Sequence, residues 1–172
     1  LAAGVGVLAL GTDGGGSIRR PAGHTGLYGF KPGWNVVPRE HGLPDVLPGM
    51  EVIGPMARHA RDLPLAMAVI GGTAPGGWAA AGAPPRPQRI AYWRHIAGSP
   101  VDAEVLARCD AAAQQLRELG HTVNVTDAPA EIQAFNQQAW PVISTTGLAH
   151  VLRDAPHAGD ELSPALAALW VS

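Results

Sequence analysis

Residues 11–21 read Gly-Thr-Asp-Gly-Gly-Gly-Ser-Ile-Arg-Arg-Pro. Three glycines lead into Ser17, with Thr12 and Asp13 before them and Arg19 and Arg20 after them. Glycine tolerates positive φ, so Gly14, Gly15 and Gly16 can aim successive N–H groups at one point. Three chemistries use such donors. A phosphate-binding loop has this outline, but neither G-x-x-x-x-G-K-[ST] nor G-x-G-x-x-G occurs across residues 11–19. A nucleophile elbow needs a glycine two places after the serine, and Arg19 stands there. The third is a serine nucleophile whose own preceding amides form the oxyanion hole, where losing one donor typically costs ~3 kcal/mol. A plain strand-to-helix bend with Ser17 as its N-cap accounts for the same glycines. Arg19 and Arg20 are unfavourable at the positive end of a helix, so an acidic partner is expected. Asp13, across the turn, is the candidate, and that contact would brace the turn.

The other reactive side chains are sparser. The seven histidines show no H-x-H or H-E-x-x-H spacing, which points away from a metal site. His24 follows Ser17 without a placed acid partner and reads as a loop residue. Lys31 is the only lysine among 12 basic residues, and it precedes Pro32 at a strand end, where a structural role is expected. The single Cys109 excludes an intrachain disulfide and fits a reducing, cytoplasmic setting. A net charge of −2 without a basic block argues against direct nucleic-acid binding, and no apolar run is long enough for a membrane span. The five tryptophans read as core or interface residues.

These residues need elements to hold them, and the 172 residues divide into four stretches. In the first, 1–72, Val5–Leu10 reads as a buried strand entering the glycine turn, Ser17–Ala22 as a helical turn and Leu27–Phe30 as a second strand. Gly33–Gly54 reads as irregular, and Asp62–Ile70 as a helix with Asp62 as N-cap and Gly71 and Gly72 as the stop. Residues 73–88 form a Gly/Ala/Pro-rich loop. Residues 89–127 form a βαβ unit. In it, Arg89–Trp93 is a strand, and a helix starts at Ser99 with Pro100 as its first residue. Val101, Val105, Cys109, Ala112, Leu116 and Leu119 make its apolar stripe, Gly120 is the cap candidate, and "HTVNVT" is the parallel strand. Residues 128–172 read as mainly helical. The chain opens on Leu1 and closes within an apolar, helix-like pattern, so it is expected to be an internal piece of a longer protein.

The segment "LALGTDGGGSIRRPAGHTGLYGFKP" closely resembles the core motif of the amidase signature family. The later "EVIGPMARHARDLPLAMAVIGG" and the region 89–127 resemble its continuation, so the likeness covers about residues 1–127. It implies an α/β fold with a mixed sheet flanked by helices. It implies hydrolysis of a small-molecule carboxylic amide by a Ser–cis-Ser–Lys triad, with an acyl-enzyme on Ser17. The oxyanion donors would be the amides of Gly14, Gly15, Gly16 and Ser17, with Thr12, Asp13 and Arg19 as support. No metal or organic cofactor is implied. The family's lysine and bridging serine lie ahead of the nucleophile, and residues 1–16 contain neither type. The chain is therefore expected to be inactive alone. Two alternatives stand beside this: an amidase subunit of a tRNA-dependent amidotransferase, and a truncated copy without chemistry.

Overall fold

The computed structural model describes residues 1–39, 45–72, 78, 86–96, 99–153 and 163–164. The chain forms two compact units, one of Leu1–Ala83 with Ser144–Ser172 and one of Pro84–Ile143. The loop expected at 73–88 lies outside the described residues except for 78 and 86–88.

In the first unit, β1 (Leu8–Asp13), β2 (Tyr28–Gly29) and β3 (Val52–Ala57) make an antiparallel sheet in the order β1-β3-β2. β1 starts three places later than expected, and Leu8 and Leu10 are exposed rather than buried. Its bounds follow its partner: the register runs from Leu8 opposite Ala57 to Asp13 opposite Val52. β3 corrects the irregular reading of Gly33–Gly54, whose last residues it includes. It is the central strand although it contains Pro55. Pro55 accepts the Phe30 N–H through its carbonyl at 3.0 Å, so its missing donor falls on the β2 side, where that ladder has already ended.

α1 (Arg19–Thr25) follows the glycine turn with Pro21 inside its first turn. Ile18, directly after Ser17, is fully buried and comes close to Gly11, Gly29 and Gly54 on the sheet. Burying such a side chain is worth about 2–3 kcal/mol, and here it anchors the residue next to the candidate nucleophile. α2 (Asp62–Ile70) has the expected bounds, with Ala66 and Met67 buried. Arg61, not Asp62, takes the N-cap position, and it makes no side-chain cap hydrogen bond.

In the second unit, β4 (Arg89–Trp93) and β5 (Thr122–Thr126) are parallel, joined through α3 (Ala103–Glu118). α3 starts later than expected because Asp102 is its N-cap, accepting from Glu104 N at 2.8 Å and Val105 N at 3.4 Å. Leu119 takes the C-cap position, and Gly120 follows it. The expected apolar stripe is only partly covered: Val105, Cys109 and Leu119 are exposed, Leu116 is half-buried and neighbouring Ala113 is buried, and Cys109, Ala112, Ala113 and Leu116 face a cleft against β4 and β5. α4 (Ala130–Ala134), a π-helical turn (Phe135–Ala139) and α5 (Trp140–Arg153) follow, with residues of α5 from Ser144 onward belonging to the first unit. Among the described residues, no helix is long and apolar enough to cross a membrane.

Candidate active site

The glycine turn is organised by one carboxylate. Asp13 ends β1 and is fully buried. Its Oδ1 accepts Gly16 N at 2.6 Å, and its Oδ2 accepts the amides of Ile18 and Arg19, each at 3.2 Å. The Arg19 guanidinium completes the set, with Nε on Oδ2 and Nη2 on Oδ1, both at 3.0 Å. Burial is the largest influence on this carboxyl and opposes its charge. Arg19 and the amides of Arg19, Gly16 and Ile18 together outweigh burial and hold the group well below the usual carboxylate range. The bond to Asp13 in turn raises the affinity of Arg19 for its proton. The arginine at the helix start is thus matched by an acid, as the helix dipole requires.

Ser17 is exposed, between the buried Gly16 and Ile18. It does not cap α1: Ile18 holds the N-cap position, without a side-chain cap bond. Gly16 departs from the oxyanion expectation, because its N–H is directed to Asp13. Among the described residues, the amides of Gly14, Gly15 and Ser17 make no hydrogen bond. Gly16 sits at φ +120°, and a Cβ there would come within 2.8 Å of Arg20 Nε. Gly14 is required for a different reason, since a Cβ on it would run into the Leu47 side chain.

Lys31 Nζ donates to the carbonyls of Asp13 at 2.5 Å and Met50 at 2.8 Å. Its place is structural, tying the end of β1 to the segment that enters β3. His24 lies in the last turn of α1, exposed, with no acid partner among the described residues. The Glu51 carboxylate accepts Val46 N at 3.0 Å and faces Arg39 Nη1 at 3.3 Å. Glu51 and Leu47 have no local signature; only the β1–β3 register brings them to the turn. No group of three or more His, Cys, Asp or Glu residues could hold a metal ion among the described residues.

The sequence matches the Amidase family over residues 1–166. The chain belongs to the amidase signature family. It superposes on a bacterial aryl acylamidase of that family with a TM-score of 0.74 and 26% identity, covering 98% of this chain and 38% of that one. Its sequence is 36% identical over 147 residues to a subunit of the glutamyl-tRNA(Gln) amidotransferase of Symbiobacterium thermophilum, covering 79% of this chain and 30% of that protein. Over 72 residues it is 50% identical to the corresponding subunit from Saccharolobus solfataricus, covering 42% of this chain and 15% of that protein. The chain thus spans less than a third of the length of the two amidotransferase subunits and little more than a third of the acylamidase. The α/β fold class expected from the motif agrees with these likenesses, with helices, an antiparallel sheet and a parallel sheet among the described residues.

Proposed function

We propose that this chain carries the nucleophile and oxyanion donors of an enzyme that cleaves a carboxylic amide C–N bond. Ser17 Oγ attacks the carbonyl carbon, and the carbonyl oxygen becomes an oxyanion. The amides of Gly14, Gly15 and Ser17 receive that charge. The C–N bond then breaks, ammonia or an amine leaves with a proton, and water hydrolyses the ester on Ser17. The resemblance assigns the proton-taking lysine and the bridging serine to positions ahead of the nucleophile. Lys31 is not that lysine, because both of its bonds go to backbone carbonyls. Asp13 and Arg19 hold the turn and do not react.

The support for this reading is the way the turn divides its amides. The Asp13 carboxylate draws in those of Gly16, Ile18 and Arg19 and, among the described residues, leaves those of Gly14, Gly15 and Ser17 unengaged beside an exposed hydroxyl. A simple bend needs no buried carboxylate with so many donors, whereas a preorganised donor set does. In the full-length protein, a fluorophosphonate is expected to label Ser17, located by peptide mass mapping. Ser17→Ala is expected to abolish both labelling and anilide turnover without moving the thermal midpoint. Turnover near wild type in Ser17→Ala would refute the reading.

The names of the curated relatives favour a second reading, an amidotransferase component that passes the released ammonia to a partner. The Ser17 chemistry is common to both. Co-purification with a partner protein, and amide hydrolysis stimulated by it, separates the second from a free-standing amidase of small amides.

A further inference from the structure

The Gly14 amide belongs to the same peptide unit as the Asp13 carbonyl, and the Ser17 amide to the same unit as the Gly16 carbonyl. A trans peptide points its C=O and its N–H in opposite directions within one plane. Whatever grips the carbonyl therefore also sets the direction of the N–H. The Gly16 carbonyl accepts Arg20 N at 2.8 Å, a backbone bond at the start of α1. The Asp13 carbonyl accepts the Lys31 ammonium at 2.5 Å. Lys31 thus does for the Gly14 N–H what the helix start does for that of Ser17.

The 13–14 peptide needs such a grip. Gly14 has no Cβ to resist rotation of the peptide plane, and the Leu47 side chain fills the space that a Cβ would take. The Asp13 carboxylate is committed to the amides of Gly16, Ile18 and Arg19, on the far side of Gly14. Lys31 is itself held from behind. Its Nζ also donates to the Met50 carbonyl at 2.8 Å, and Met50 N and Glu51 N both donate to the Leu47 carbonyl at 2.9 Å. The ammonium is thus braced against a closed turn of residues 47–51. Its charge has a second effect. A hydrogen bond from a charged donor is roughly twice as strong as a neutral one, and it polarises the peptide it meets. The Gly14 N–H becomes the stronger donor for it.

We infer that Lys31 is a positioning residue for the oxyanion donors: acting through the Asp13–Gly14 peptide, its ammonium aims the Gly14 N–H and strengthens it. The inference rests on Ser17 being the nucleophile and on the Gly14 amide receiving the oxyanion. Such donors act on charge that develops in the transition state, so their loss costs rate rather than substrate binding.

The test compares anilide turnover with binding of the matching trifluoromethyl ketone, both in the full-length protein. Ser17 Oγ adds to the ketone carbon, the C=O π pair moves onto oxygen and the hydroxyl proton passes to solvent, which leaves an oxyanion facing the donors. A donor removed outright costs about 100-fold or more in kcat, so Lys31→Met, which weakens and frees one donor, is expected to cost about tenfold at unchanged KM. The ketone is expected to bind more weakly by the same factor. Lys31→Arg, which keeps a cation, is expected to recover both quantities together. A lysine that only ties two segments would change the folded fraction without linking kcat to ketone affinity. The end point of fluorophosphonate labelling counts the folded sites, and kcat is referred to that count. If Lys31→Met does not fold, Lys31→Gln, which keeps a neutral donor, carries the same linked fall on a smaller scale. A wild-type kcat in the folded variants, or a fall in kcat with ketone affinity unchanged, overturns the inference and leaves Ser17 as nucleophile. Absence of any label on Ser17 in the wild type overturns both.

Discussion

Each unit holds an aspartate gripped by an arginine through several bonds, and the two pairs differ in everything except that grip. In the first unit, Arg19 bonds Asp13 through Nε and Nη2, both at 3.0 Å. In the second, Arg94 bonds Asp110 through Nε at 3.0 and 3.1 Å and through Nη2 at 2.8 Å. By bond length alone the second pair is the better one. Asp13, however, is 0% exposed, whereas the Asp110 side chain is 39% exposed. Asp13 also accepts three backbone amides, while among the described residues Asp110 accepts only the Tyr92 hydroxyl besides its arginine. The value of such a pair therefore lies in what its removal strands, not in the pair itself.

The largest effect is expected from Asp13→Ala. It leaves the buried Gly16 and Ile18 amides without their acceptor, so an unfolding cost of about 3 kcal/mol is expected from urea denaturation. Labelling of Ser17 is expected to fall with it, because the same amides set the turn. A double-mutant cycle with Arg19→Ala is expected to be strongly non-additive, and additivity would show that the two side chains do not interact.

A smaller effect tests the charge alone. The folded state lowers the proton affinity of Asp13 below its unfolded value, which is about 3.9 for a free aspartate. Its contribution is therefore fully present above about pH 4 and is lost as the pH falls through the lower, folded value. The urea midpoint of the wild type is expected to decline steadily below about pH 4. Asp13→Asn cannot titrate and is expected to show a shallower acid slope from a lower neutral plateau. Glu51, also lowered, titrates in the same direction in both proteins, so the difference between them isolates Asp13. Parallel slopes would mean that Asp13 is not held charged.

How much of the molecule was legible in the sequence differs between local and distant features. α2 and β4 have the expected bounds, and β5 starts only one residue later than expected, because their signals lie within a few residues: an apolar period, flanking glycines, strict alternation. The Asp13–Arg19 pair was legible for the same reason, since arginines at a helix start require a nearby acid. β3 was not, because Gly54 and Pro55 argue locally against a strand and only the shortness of β2 makes Pro55 tolerable. The face of α3 was legible only in part: Cys109, Ala112 and Leu116 of the apolar stripe face β4 and β5, but the most buried position lies beside the stripe. Small Ala113 lies against the unit's interior, and larger Val105 and Leu119 do not. Glu51 and Leu47 were invisible as site neighbours. They reach the turn only through a register that sets Val52 opposite Asp13, and nothing in the intervening residues announces it.

The smallest effect is expected at the exposed pair. Arg94 and Asp110 join the residue after β4 to the middle of α3, and the Arg94 side chain is 42% exposed. Both groups are well solvated, so water replaces most of what either loses when its partner is removed. The shifts run as the contact requires: the Arg94 bond, opposed by slight burial, lowers the proton affinity of Asp110, and the Asp110 bond raises that of Arg94. Such shifts at the surface report proximity rather than stability. A double-mutant cycle of Arg94→Ala and Asp110→Ala is expected to give a coupling far below that of Asp13 with Arg19, and one that fades as salt is raised from about 0.05 M to 1 M. Tyr92→Phe, which deletes the other bond to Asp110, is expected to leave stability within experimental error. A salt-independent coupling as large as that of the buried pair would mean that burial is not what separates the two aspartates. The cost of Asp13→Ala would then have to come from the ion pair itself, and not from the amides it strands.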